Sequence, residues 1–91
     1  MTIIDVDIEE YYDPFQASIY PNPAKEVLNI DMQGEFENVI LRIIDMAGKI
    51  VFSKEMTENK EQIDLIDLNA GIYNLEINSI EHQITRVFTV K

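Results

Sequence analysis

The chain has 91 residues, no cysteine, and 17 acidic against 7 basic residues, giving a formal charge of −10. That length suits one domain with a modest core, and the lack of cysteine excludes thiolate nucleophiles, disulfides and Cys-based zinc sites. Lys25, Arg42, Lys49, Lys54, Lys60, Arg86 and Lys91 are scattered singly along the chain, which argues against binding to nucleic acid or to an anionic membrane surface.

No apolar run approaches the length needed to cross a bilayer. Met1 to Asp5 has no basic start followed by an apolar stretch, so no export signal is expected at the N-terminus. Residues 1–16 read as an acidic lead-in. Asp5, Asp7, Glu9, Glu10 and Asp13 supply half of the net charge with no base among them. Ile4, Val6 and Ile8 alternate with Asp5, Asp7 and Glu9, which is a strand pattern, but the charge density and the Asp13-Pro14 break favour a linker or an edge strand.

Residues 17–91 read as the folded domain. Phe15 to Ile19 is a first short strand, stopped by Tyr20-Pro21-Asn22-Pro23-Ala24, where two prolines remove two backbone donors and hold Asn22 extended in a stiff corner. Glu26 to Met32 follows, with Leu28, Ile30 and Met32 on one face, and Gln33-Gly34-Glu35 turns the chain. In Asn38 to Asp45, Arg42 marks the outer face, so Val39, Leu41 and Ile43 should point inward while Ile40 and Ile44 flank the arginine outside.

Asp45-Met46-Ala47-Gly48 predicts a hairpin turn, with Asp45 bonding the turn backbone and Gly48 taking positive φ. The returning strand spans Lys49 to Met56, with Val51 and Ser53 opposite Ile50, Phe52 and Lys54. Thr57 to Glu61 reads as a polar loop and Gln62 to Leu68 as a strand. Asn69-Ala70-Gly71 is a second turn, after which Tyr73, Leu75 and Ile77 alternate as core residues. The Tyr73 hydroxyl is placed to reach backbone in that turn, a corner device of sandwich folds. The last strand is His82 to Lys91, with Ile84, Phe88 and Val90 on one face, Arg86 interrupting that face and Val87 opposite. About seven short strands with regular turns and no helical period predict an all-β, antiparallel β-sandwich.

The residues offer little chemistry. His82 is the only histidine, and Ser18, Ser53 and Ser79 show no nucleophile elbow. The pairs Asp64 with Asp67 and Glu35 with Glu37 are what an acidic chain contains by chance, and seven short strands rarely form a glycosidase cleft. Asp5, Asp7, Glu9 and Glu10 are oxygen ligands of the kind calcium takes, but no loop spacing organises them, so solvated charge is the favoured reading. No catalytic residue, metal site or cofactor is expected.

Five ordered motifs, the Tyr20-Pro21-Asn22-Pro23-Ala24 corner, the strand with Leu28 and Ile30, Leu41 to Val51 around Asp45-Met46-Ala47-Gly48, Ile63 to Tyr73 around Asn69-Ala70-Gly71, and Thr85 to Lys91, together resemble the C-terminal sorting domain of the type IX (Por) secretion system of Bacteroidota. The resemblance covers residues 17 to 91. It implies an immunoglobulin-like sandwich, not an enzyme, fused behind an N-terminal cargo that enters the periplasm by its own signal. The outer-membrane machinery would recognise the domain and export the cargo to the cell surface or beyond. A sortase-like cysteine peptidase would then remove the domain upstream of Tyr20.

Carried over position by position, the recognition elements are Tyr20, Pro21, Asn22 and Pro23 of the corner, Asp45 and Gly48 of the first turn, Gly71 and Tyr73 of the second, and Arg86, Val87, Val90 and Lys91 of the last strand. A strand at a sheet edge near a chain end offers its main chain to a partner sheet. The same unpaired edges, with outward Ile40 and Ile44, offer a route to a homodimer. The alternative from the residues alone is an adhesion or carbohydrate-binding module using Ile40, Ile44 and neighbouring aromatics. A free-standing enzyme around His82 or Asp64 ranks below both.

Overall fold

A computed structural model describes residues 15–33 and 38–91. The alternating Ile4 to Glu9 segment, the acidic groups Asp5, Asp7, Glu9 and Glu10, the Asp13-Pro14 break, the Gly34-Glu35 part of the Gln33-Gly34-Glu35 turn, and Glu37 lie outside the described residues.

Seven strands form in chain order: β1 (Ser18–Tyr20), β2 (Val27–Asp31), β3 (Val39–Ile44), β4 (Ile50–Met56), β5 (Lys60–Asp64), β6 (Gly71–Asn78) and β7 (Gln83–Val90). They make two antiparallel sheets, one ordered β1-β2-β5 and the other β4-β3-β6-β7. The core lies between them. Leu28, Ile30 and Ile63 of the smaller sheet meet Val39, Leu41, Ile43, Leu75, Ile77 and Phe88 of the larger, all buried. The alternation expected in β2, β3 and β6 is the one seen, because a strand with one face against a core cannot slip by one residue without exposing its whole apolar set.

Beyond one-residue shifts at the ends of other strands, three features differ from the sequence reading. β1 begins at Ser18 rather than Phe15 because Gln16 takes a positive φ of 47°, which ends an extended segment; Phe15 is nonetheless buried. β5 runs Lys60–Asp64 instead of Gln62 to Leu68. The Asp64 carboxylate accepts the Ile66 amide at 2.9 Å and the Leu68 amide donates to the Leu65 carbonyl at 2.9 Å, so the aspartate closes a turn where the pattern suggested more strand. In β4, the register shift opposite Ile43 and Ile44 leaves Val51 as an extra residue, and both Val51 and Phe52 pack against the core. A bulge of this kind breaks the simple two-residue alternation.

The predicted Asp45 to Gly48 turn forms. The Asp45 carboxylate accepts the amides of Ala47 and Lys49, each at 2.9 Å, the Gly48 amide donates to the Asp45 carbonyl at 3.0 Å, and Gly48 has φ of +88°. The Tyr73 hydroxyl donates to the Asn69 carbonyl at 2.7 Å while its ring stacks on Phe88 with centroids 5.9 Å apart. Tyr73 thus fastens the Asn69 to Gly71 turn to the core beneath it.

Candidate recognition site

The strand registers bring the corner, both motif turns, Val90 and Lys91 to one end of the sandwich, with Arg86 and Val87 further along β7. Ile44, the last residue of β3, lies opposite Asn74, and Gly71 at the start of β6 lies opposite Val90 at the end of β7. The Asp45 to Gly48 turn, the Asn69 to Tyr73 turn and the terminus of β7 are therefore neighbours. The proline corner joins them through a parallel bridge between Ala24 and Val90.

That bridge is built by main chain and one side chain. The Ala24 amide donates to the Thr89 carbonyl and the Lys91 amide to the Ala24 carbonyl, both at 2.8 Å. Between them, the Thr89 amide donates to the Asn22 side-chain oxygen at 3.1 Å, and the Asn22 amide group reaches the Val87 carbonyl at 3.5 Å. The Asn22 carboxamide imitates a peptide unit of a further strand. The peptide bonds Tyr20–Pro21 and Asn22–Pro23 are both cis. Ala24 is fully buried, so the corner is anchored by a small side chain in the core as well as by hydrogen bonds.

The individual positions differ in what they offer a partner. Tyr20, Pro21, Asn22, Pro23, Gly48, Val87 and Lys91 are exposed, and Asp45, Gly71 and Arg86 are half-buried, with Arg86 opposite Leu75. Tyr73 and Val90 are buried and act through the fold. Of the exposed large apolar side chains, Tyr20, Met46, Ile50, Ile66, Ile72 and Val87 lie at or beside this end, and Ile80 lies at the opposite one. Pro21, Pro23, Lys25, Glu26 and Val27 line a shallow open depression of about 490 Å³ next to the corner.

On the side of the sandwich away from the corner, Lys54 of β4 crosses to Glu61 of β5 with a 2.8 Å ion pair. Glu61 also accepts the Thr57 amide at 3.3 Å. The hydrogen bond from Lys54 outweighs burial and, with the Thr57 amide, holds the Glu61 carboxyl below its usual range. Sequence reading missed this pair, because it placed Glu61 in a loop. The available clue was a lysine at a core-facing position of β4, opposite Leu41, which needs an acid across the gap.

The groups weighed for chemistry are used structurally. The Ser79 hydroxyl bonds the backbone of His82, not its ring, and the His82 ring packs edge-on against Phe15 at 6.2 Å. Asp64 closes its turn. Among the described residues no group of His, Asp and Glu is arranged to hold a metal ion. Around Ile40 and Ile44, which are half-buried, the outer face carries Arg42 paired with Glu76 at 3.8 Å and Asn78 bonded to Glu76 at 3.1 Å, a polar surface instead of an aromatic platform.

Two facing antiparallel sheets with a tyrosine-fastened turn define an immunoglobulin-like β-sandwich. The fold is similar to that of a DUF3244 family protein with an immunoglobulin-like β-sandwich from Bacteroides vulgatus, with a TM-score of 0.73 and 21% identity over 88% of this chain and 89% of that one. It is also similar to part of PorZ, an essential surface component of the type IX secretion system of Porphyromonas gingivalis, with a TM-score of 0.70 and 16% identity over 82% of this chain and 11% of that one. CopC from Methylosinus trichosporium OB3b shares the architecture more loosely, with a TM-score of 0.51 and 16% identity over 82% of this chain and 93% of that one. No curated protein matches the sequence.

Residues 18–91 match the model of the secretion system C-terminal sorting domain, and the chain belongs to that family, the C-terminal sorting domains of the type IX (Por) system. A domain of this family is a sorting signal for export across the outer membrane, to the cell surface or beyond, and is non-catalytic in kind.

Proposed function

We infer that this domain is the address of a cargo fused at its N-terminal side, read by the outer-membrane machinery at the end of the sandwich where the proline corner meets β7. The observation that carries the reading is the Ala24–Val90 bridge, which ties the corner to the C-terminal strand beside both motif turns. Tyr20, Pro21, Asn22, Pro23, Gly48, Val87 and Lys91 supply the exposed part of the address, while Asp45, Gly71, Tyr73 and Val90 hold it in shape. Arg86, half-buried on β7, helps to set the register of the contact.

Residues 1–16 form the lead-in between cargo and address. A sortase-like peptidase cuts within it, upstream of Tyr20. The matching experiment fuses a periplasm-directed reporter to residues 1–91 in a bacterium with a type IX system. Reporter at the surface, ending within residues 1–16, supports the reading; reporter retained in the periplasm as it is without the domain defeats it.

A further inference from the structure

The corner closes only part of the β7 edge. In an extended antiparallel strand the N–H and C=O of one residue share an edge, and the edge alternates from residue to residue. Thr89 turns both groups to the corner, away from β6. Thr85 and Val87 therefore turn theirs to the same edge. Among the described residues the Val87 carbonyl meets only the distant Asn22 amide group, at 3.5 Å, and the Thr85 groups and the Val87 N–H meet no partner.

The other sheet edges are defended. β1 is three residues long. β4 carries a bulge and the charges Lys54 and Glu55. β5 carries Lys60, Glu61 and Asp64. Short length, bulges and charges are the devices that keep strand edges from pairing. β7 is eight residues long, pairs with β6 in unbroken register and carries one charge, Arg86. Beside its open stretch Val87 is 61% exposed on the outer face.

We propose that Gln83 to Val87 is a docking edge for an extended polypeptide segment of the export machinery, which adds as a strand beside β7, and that Asn22 is the stop that ends this pairing before Thr89. The occupant is a main chain because the unsatisfied groups are main-chain donors and acceptors on a straight edge. Asn22 already occupies the position that the next peptide unit of such a strand would take. This rests on the reading of β7 as the contact with the machinery, and it specifies which part of the strand is read.

Proline tests the edge selectively, since it removes one outward N–H without touching a bond to β6. Reporter fusions carrying Thr85→Pro, Val87→Pro or Thr85→Val are compared with the parent for surface display, with melting temperatures measured on the same domains. The proposal expects both proline variants to stay folded and to lose display by about tenfold, the effect of one main-chain hydrogen bond, while Thr85→Val is displayed normally. Normal display of both folded proline variants overturns the docking edge while leaving the sorting reading intact. A parent fusion that never leaves the periplasm overturns both. Proline variants that fail to fold show that these N–H groups belong to the ladder, which also overturns the proposal. A second copy as occupant would appear as concentration-dependent dimerisation in light scattering, abolished by Thr85→Pro, and would overturn the assignment to the machinery. In hydrogen exchange the Thr85 and Val87 amides should exchange freely and Thr89 slowly, and Asn22→Ala should speed Thr89 by about tenfold; equal protection of all three contradicts the stop.

Discussion

Lys91 donates its amide to the carbonyl of Ala24 at 2.8 Å, bonding the end of β7 to the residue that follows the proline corner. The C-terminal residues are therefore part of the fold. Removing Val90 and Lys91 costs the burial of a valine, about 1.5–3 kcal/mol, and main-chain bonds worth about 1 kcal/mol. Thermal unfolding of the 1–89 chain should occur about 10 °C or more below the parent. Cutting back to Arg86 also strips Phe88, which is fully buried. Loss of secretion after such a truncation would report unfolding, and substitutions at exposed positions are the cleaner probe.

Tyr73→Phe keeps the ring against Phe88 and deletes the hydroxyl that holds the Asn69 carbonyl. The expected loss is about 1 kcal/mol, a fall in melting temperature of about 4–8 °C. Differential scanning calorimetry on the two domains measures it, and an unchanged melting temperature would mean that the turn does not depend on this bond.

The hairpin turn separates two causes. No atom lies within 4 Å of a Cβ built on Gly48, so Gly48→Ala meets no steric obstacle and its cost arises from the φ of +88°. A destabilisation of about 1 kcal/mol is expected, with Gly48→Asn milder because asparagine tolerates this region better. Urea titrations of both variants test the order.

The Lys54–Glu61 pair sets a pH dependence. Glu61 titrates below its ordinary value of 4.5 in the folded chain, so the unfolded chain binds the proton more readily. The stabilisation is present above the ordinary value and is lost as pH falls through the lowered folded value. Glu61→Gln should lower the melting temperature most at pH 6 to 7, and the gap to the parent should close toward pH 3. A gap that widens on acidification would contradict the assigned cause.

Much of the fold was readable because its strands have one buried face. Leu28 with Ile30, Leu41 with Ile43, and Tyr73, Leu75 and Ile77 could sit inward in only one register. The Asp45 and Gly48 turn was legible from side-chain chemistry alone. The end of β5 was not, because Asp64 serves equally as an outward strand residue or as a turn former, and the Ile66 amide decides between them. The candidate site can be read from the sequence as motifs but not as a place. Nothing local says that Asn22 meets Thr89, 67 positions away; that proximity comes with the Ala24–Val90 bridge between the corner and β7.

The central claim is that the address lies where the corner meets β7, and two exposed residues test it, one midway along β7 where Asn22 reaches it and one in the turn that precedes β7. Val87 is 61% exposed beside the corner and Ile80 is 83% exposed at the far end, so lysine at either position should leave the fold intact. The measurement is the protease-accessible fraction of a fused reporter on intact cells carrying Val87→Lys or Ile80→Lys. The account predicts a display loss of about tenfold or more for Val87→Lys, the effect of about 1.4 kcal/mol at an interface, and parental display for Ile80→Lys. Equal display of the two variants, or a loss confined to Ile80→Lys, would contradict it.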